Sequence, residues 1–335
     1  MKVCSVIVTY GDRFHLLKQV IEACLREGID KIIVVDNASV ENSRKQLKEY
    51  DKEIDKLKVI YLDENTGSAG GYKIGLQEVY NCKECEYIWL LDDDNMPQKD
   101  SLKILKEFWN SYDMKNKEDN LCLLSFRPDR VAYKEAIMTN NPNLVLGRKN
   151  SFLGFHILDL PKKIIRVLKR KAVIKTFTEN LDIKSGRVAV APYGGMFFHK
   201  NLINKIGYPK EEFFVYADDH EWSYRITKNS GKIILVLDSV LEDIDKSWNI
   251  SRKKEPAFSI IAKGNSFRVY YSTRNRVFFE VNNLITNNLM YEINKNIYSF
   301  LVKVNAEANS FKAFKKAIYD GINRRLGKNE NLNCF

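Results

Sequence analysis

The 335-residue chain has no apolar run approaching the roughly 18 residues that cross a bilayer. Its start, Met1-Lys2-Val3-Cys4-Ser5-Val6-Ile7-Val8, lacks the layout of a signal peptide and reads as a first strand. Its six cysteines show no paired framework. Cys82 and Cys85 form a lone C-x-x-C without a second pair, which argues against zinc and predicts two free thiols in a reducing cytoplasm. There is no G-x-G-x-x-G and no P-loop lysine, so a dinucleotide or ATP site is disfavoured. Neither a Ser/His/Asp nor a Cys/His set is evident, and no histidine follows His220. RNP, zinc-finger and other nucleic-acid motifs are missing, as are internal repeats and low-complexity segments.

What is present suggests one large or two medium globular domains, with an ordinary 44% hydrophobic content. Charge is placed unevenly. Residues 246–335 hold 16 Lys/Arg against 6 Asp/Glu, almost the whole of the chain's formal net charge of +11. A basic C-terminal part behind a near-neutral front part implies an anionic partner, either membrane lipid or nucleic acid.

Short β-branched runs at Val3–Thr9, Lys31–Asp36, Lys58–Leu62 and Tyr87–Leu91 read as strands. Helical patterns lie between and after them, near Arg13–Glu27, Glu41–Ile54, Ala69–Tyr80 and Lys99–Trp109. The alternation predicts an α/β fold with a parallel sheet and helices on both faces, where ligands bind beyond the carboxyl ends of the strands. Residues 125–190 are less legible. No acid occurs between Asp159 and Glu179, and Pro161–Lys171 reads equally as a basic helix lying on an anionic membrane or as a solvated loop. A strand is expected at Val188–Phe198, a helix near Asp218–Asn229 and a strand at Lys232–Leu237. Helices follow at about 257–283, 286–305 and 309–326, with Gly327 as a stop.

The chemistry-bearing residues fall at the expected strand ends. Asp92, Asp93 and Asp94 follow the apolar run Tyr87–Leu91, where Asp92 and Asp94 project to one side. Close carboxylates repel, and this pattern suits Mg²⁺ or Mn²⁺ shared with a substrate's phosphates. Thr9, Tyr10 and Arg13 follow the first strand. Asp36-Asn37 ends the second, and reads either as a nucleotide contact or as a turn or cap. Asn65-Thr66-Gly67-Ser68 precedes the third helix, whose N-terminus favours anions. Asp218-Asp219 opens a later helix, a position for a general base or for a cap. Glu242, Asp243 and Asp245 follow a strand and read either as further metal ligands or as a polar turn.

Taken in order, Val8-Thr9-Tyr10, Val35-Asp36-Asn37, Glu64-Asn65-Thr66-Gly67, Leu91-Asp92-Asp93-Asp94, Gly194-Gly195-Met196-Phe197 and Asp218-Asp219 resemble an inverting family 2 glycosyltransferase of the GT-A fold. The resemblance covers about residues 1–245. Tyr270-Tyr271 with Arg274-Asn275, and Asp320-Gly321-Ile322 with Arg325-Leu326-Gly327, extend it towards bacterial galactofuranosyl- and rhamnosyltransferases of surface-polysaccharide synthesis. It implies a catalytic domain over 1–250, with a nucleotide-sugar half (1–125) and an acceptor half (185–250). A basic helical region, 251–335, would meet a membrane surface or a second copy of the chain.

By resemblance, Thr9, Tyr10, Arg13, Asp36, Asn65 and Gly67 would hold a nucleotide sugar. Asp92 and Asp94 would bind Mn²⁺ or Mg²⁺ on its diphosphate, with Asp93 near the sugar or ribose and Gly194 and Gly195 lining the sugar pocket. Asp219 would be the base and Asp218 would orient the acceptor. Relatives often use a metal-binding histidine after the strand that follows the base helix. This chain has none there, and Asp243, or else Asp245, falls nearest.

The implied enzyme is a cytoplasmic transferase on the inner face of the membrane. It would move galactofuranose from UDP-galactofuranose, or rhamnose from dTDP-rhamnose, to a lipid-linked or growing glycan, without a nucleic-acid partner. A nucleotidyltransferase is a competing reading, but Thr9-Tyr10-Gly11-Asp12-Arg13 matches its first loop thinly. A non-catalytic glycan- or nucleic-acid-binding subunit is another. The retention of both acidic sets argues against it.

Overall fold

The computed structural model describes residues 1–160, 183–245, 256–329 and 332. The basic segment Pro161–Lys171, read either as a membrane-surface helix or as a solvated loop, lies outside the described residues. The chain divides into two compact units, Met1–Val145 with Ser185–Lys253, and Leu146–Lys184 with Lys254–Phe335.

The first unit is built on one mixed sheet flanked by helices. Its opening alternates as expected: β1 (Val3–Thr9), α1 (Phe14–Arg26), β2 (Lys31–Asp36), α2 (Glu41–Asp51), β3 (Leu57–Tyr61), α3 (Gly67–Asn81) and β4 (Tyr87–Asp92). These four strands are parallel, in the order β3-β2-β1-β4. Every residue of β1 is buried, because helices cover both faces of a parallel sheet. Gly71 and Gly75 let α3 lie directly against Val8 and Val6 of β1.

The sheet then departs from the all-parallel expectation. After β5 (Asn95–Pro97), α4 (Ser101–Ser111) and α5 (Lys117–Asn120) come β6 (Leu121–Phe126) and α6 (Val131–Met138). The strand expected over Val188–Phe198 is two strands, β7 (Ser185–Val188) and β8 (Met196–His199). The reason is Pro192 with Gly194-Gly195, which cannot continue a ladder. β8 is antiparallel to both β4 and β6, while β7 is antiparallel to β9 (Lys232–Asp243). α7 (Leu202–Ile206) and α8 (Asp218–Lys228) precede β9, which is twice as long as expected.

β9 runs parallel to β6 until a bulge at Ser125/Phe126 shifts the register from Val236 to Val240. Its second half then pairs with β5, setting Asp243 opposite Asn95. A bulge re-aims a strand, and here it turns Asp243 towards the acidic triplet.

Cys85 is not a free thiol. It is bonded to Cys4, with Cα atoms 5.7 Å apart, because it enters β4 beside the start of β1. Cys82 remains free.

The second unit is helical. The expected helix over 257–283 breaks at Gly264 into α9 (Ala257–Ala262) and α10 (Ser266–Asn283), followed by α11 (Asn288–Asn305) and α12 (Ala308–Ile322). Residues 146–160 belong to this unit: Phe152 and Phe155 pack in its core with Tyr291, Tyr298 and Phe314. Asn150 Oδ1 accepts from the Thr286 and Asn287 amides that start α11. Tyr270, Arg274 and Asp320 tie α10 to α12 and the following turn. Tyr270 Oη donates to Asp320 at 2.8 Å, and the buried Arg274 guanidinium donates to the Gly327 carbonyl at 2.6 Å.

Candidate active site

The acidic triplet turns out of β4 between two arginines. Asp93 is buried. It accepts from Thr9 Oγ1 at 2.8 Å and from Arg13 Nε at 2.9 Å. Arg13 also donates to Asp94 at 2.9 Å and to Asp245 at 2.8 Å, while the exposed Tyr10 ring lies 5.6 Å from the guanidinium. Arg127, 5% exposed, spans the other side. Its Nη1 lies 3.1 Å from Asp92 and its Nη2 2.6 Å from Asp243. Asn95 donates to both Asp94 and Asp243, at 2.9 and 2.7 Å. Burial alone would lower both arginine pKa values. Their carboxylate partners outweigh it, so both guanidiniums stay charged.

Five carboxylates, Asp92, Asp93, Asp94, Asp243 and Asp245, thus meet two guanidiniums. Burial, then the charges of Asp92 and Asp93, push Asp94 up to about 7. Among the described residues no three His, Cys, Asp or Glu side chains converge as a ready metal cage. Arg127 stands between Asp92 and Asp243. The donor set nevertheless fits a hard divalent ion in one mode, where one or two carboxylates share it with substrate phosphates.

Gly194 borders this group. A Cβ there would fall 2.0 Å from Asn95 Oδ1 and 2.7 Å from Asp92 Oδ2, so no side chain fits. Gly195 follows at φ +107° and carries the chain into β8.

A second carboxylate pair opens α8. Asp218 is 4% exposed and accepts from Ser68 Oγ at 2.7 Å, whereas Asp219 is half-buried and reachable. Burial, then the charge of Asp219, push Asp218 up to about 7, with the Ser68 bond opposing. The approach to this pair is strained. Phe214 (φ 65°, ψ −71°) centres a γ-turn closed by the Val215 amide on the Phe213 carbonyl at 2.8 Å. Tyr216 and Ala217 also have positive φ, and such backbone clusters at functional sites.

Helix α3 joins the two acidic groups. Ser68 binds Asp218, and one turn later Tyr72 Oη lies 2.7 Å from Asp92 Oδ1. Residues four apart share a helix face. The Tyr72 ring stacks on Tyr193 with centroids 4.1 Å apart. Burial, then Asp92, push the Tyr72 hydroxyl well above its ordinary range, so it remains a donor. The start of α3 is fixed by Gly67 (φ +72°), where a Cβ would fall 2.0 Å from the Phe214 carbonyl oxygen. The Ala69 amide donates to that same oxygen at 3.1 Å.

The remaining sequence candidates serve the turns. Asn65 Oδ1 accepts from the Gly67 amide and from Asn37 Nδ2, at 2.8 and 3.2 Å. Asp36 is fully buried, accepting from the Ser39 amide at 3.0 Å and Arg44 Nε at 2.6 Å. Tyr72, Asn95, Arg127 and Tyr193 were not singled out from sequence, and Ser68 was named only as part of the loop before α3. Of these, Asn95, adjacent to the triplet, and Ser68, in the loop before α3, carried a local signal.

Residues 5–115 match the family model described as Glycosyl transferase family 2. Over 78 residues the chain is 32% identical to the Bacillus subtilis (strain 168) protein named "Putative teichuronic acid biosynthesis glycosyltransferase TuaG". That alignment covers 23% of this chain and 29% of the relative, so the chain spans under a third of the curated relative's length. Among solved structures it is similar to GalNAc-T7 with UDP, GalNAc and Mn²⁺ (TM-score 0.52, 15% identity, 96% of this chain and 57% of that one). It is also similar to the Pyrobaculum calidifontis mannosyltransferase PcManGT with GDP-Man and Mn²⁺ (TM-score 0.50, 13% identity, 94% and 73%). The chain has the GT-A fold, and its residues 5–115 carry the match to glycosyl transferase family 2.

Proposed function

We propose that the protein is a metal-dependent inverting glycosyltransferase acting in cell-surface polysaccharide synthesis. One observation carries the reading: α3 binds the diphosphate-type acidic group through Tyr72 and the base-type pair through Ser68, one turn apart. The family match over 5–115 and the nucleotide and Mn²⁺ bound in the two similar solved structures support it.

Asp92 and Asp94 would hold Mn²⁺ or Mg²⁺, with Asp243 the nearest further carboxylate. When bound, the ion offsets charge on the departing nucleoside diphosphate. Arg13 and Arg127 hold the carboxylates apart in fixed orientations. Asp219, the accessible member of its pair, takes the acceptor hydroxyl proton as that oxygen attacks the anomeric carbon. The bond to the diphosphate breaks on the opposite face and the leaving group keeps the electron pair, so the configuration inverts. Asp218, tied to Ser68, fixes the helix tip. Thr9, Tyr10, Asp36, Asn65, Gly67, Asp93, Gly194 and Gly195 are assigned to the donor side.

UDP-galactofuranose is the proposed donor and dTDP-rhamnose the second choice, on the strength of the sequence resemblance. The acceptor is a lipid-linked or growing glycan, met at an anionic membrane surface by the basic C-terminal part.

The test is a screen of nucleotide sugars with Mn²⁺, followed by Asp219→Asn. The variant should lose transfer at least about a hundredfold while binding donor as the parent does. Full turnover in Asp219→Asn overturns the base assignment.

A further inference from the structure

The outer face of α11 is apolar. Leu289 is 72% exposed, Ile293 38%, Phe300 65% and Val304 67%. At 3.6 residues per turn these four fall within an arc of about 60° and extend over about 22 Å of helix. The opposite face, Tyr291, Asn294, Tyr298 and Val302, is already buried. The helix therefore has two apolar sides, and among the described residues only one is packed against the rest of its unit. Soluble surfaces rarely expose this many large apolar side chains along one helix face.

We infer that this stripe is the face by which the protein sits on an anionic lipid bilayer. The inference rests on, and sharpens, the membrane reading given above. Charge selects the occupant. Residues 256–329 carry 12 Lys/Arg against 4 Asp/Glu. The exposed members include Lys303 on α11 and Lys312, Lys315 and Lys316 on α12, with Glu292 and Glu307 the exposed acids. Such a surface is attracted by an anionic leaflet, whereas a second copy would bring the same positive charge against it. No helix among the described residues is long and apolar enough to cross a membrane, so α11 would lie in the interface plane with its stripe among the upper acyl chains.

The experiment uses the full chain and vesicles of phosphatidylglycerol with phosphatidylcholine, against phosphatidylcholine alone. Leu289→Ser/Phe300→Ser changes only exposed side chains, so circular dichroism should match the parent. Sedimentation with the anionic vesicles should weaken at least about tenfold. In Phe300→Trp, tryptophan emission should shift blue on the anionic vesicles and be quenched by lipids brominated in the upper acyl chain.

If the parent binds anionic vesicles while the double variant binds equally well, or Phe300→Trp shows neither shift nor quenching, the α11 assignment is overturned and the broader membrane reading survives. If the parent binds no vesicle, both fail. A vesicle-free dimer that Leu289→Ser/Phe300→Ser dissociates would assign the stripe to a second copy and overturn the inference.

Discussion

Replacing Asp218 by Asn should stabilise the protein at alkaline pH while impairing transfer. Asp218 is 4% exposed and its carboxyl titrates at about 7, raised from 3.8 by burial and by Asp219. Below 3.8 the carboxyl is protonated in both folded and unfolded chains. Between 3.8 and 7 only the folded chain holds the proton, so the contribution to stability is largest at low pH and is lost as pH rises through 7. Each unit corresponds to about 1.4 kcal/mol, which puts the whole loss at about 4 kcal/mol and the part between pH 5 and pH 8 at about 3 kcal/mol. Asn is neutral throughout and escapes that loss. Its Oδ1 can still accept from Ser68, while its buried NH₂ adds a pH-independent cost of about 1–3 kcal/mol.

The offset cancels when the variant is compared with the parent at two pH values. The measurement is urea unfolding followed by tryptophan fluorescence, because Trp89, Trp109 and Trp222 are all buried in the first unit. The advantage of the variant should grow by up to about 3 kcal/mol from pH 5 to pH 8. A difference that stays constant, or shrinks as pH rises, refutes the reasoning. Asp219→Asn should reproduce part of the change, since it removes the charge that helps to raise Asp218.

Three further outcomes are expected. Chelation should stop turnover and Mn²⁺ should restore it; turnover in a chelator would remove the metal role given to Asp92 and Asp94. Gly67→Ala meets both a φ of +72° and the Phe214 carbonyl, so stability should fall by at least about 1–2 kcal/mol in denaturant unfolding. Arg127→Met should cost about 3 kcal/mol, mostly through Asp243, which is 4% exposed where Asp92 is 37% exposed. The double variant Arg127→Met/Asp243→Asn should recover part of that loss.

The strands β1, β2 and β4 were legible because buried parallel strands read as continuous apolar runs. The same signal misled over Val188–Phe198, where the run is apolar but Pro192 and Gly194-Gly195 end one strand before the next begins. The triplet and Asp218-Asp219 were visible as local acidic clusters. Arg127 was not, because its partners Asp92 and Asp243 lie 35 and 116 residues away and Arg-Pro-Asp after a strand is an unremarkable loop. Asp243 was noticed only by its place after a strand. What aims it, the bulge between Ser125 and Phe126, leaves no periodicity to read. Cys4–Cys85 was hidden for the same reason: a bond between adjacent strands 81 residues apart has no local spacing.

The linkage through α3 bears on how such a site can work. A carboxylate pair with positive-φ residues leading into it would relax if left alone, since each such residue costs on the order of 1–3 kcal/mol. Phe214 cannot move without displacing its carbonyl from the Ala69 amide and from the space Gly67 leaves open. Those residues begin the helix whose Tyr72 lies against Asp92. The strain ahead of Asp218 and the orientation of Asp92 are therefore held by one rigid element, packed on β1 through Gly71 and Gly75. An in-line displacement needs its base and its leaving-group anchor at a set separation before substrate arrives. With the proposed roles, a helix spanning one turn between the Asp218-Asp219 pair and Asp92 would supply that separation without either group touching the other.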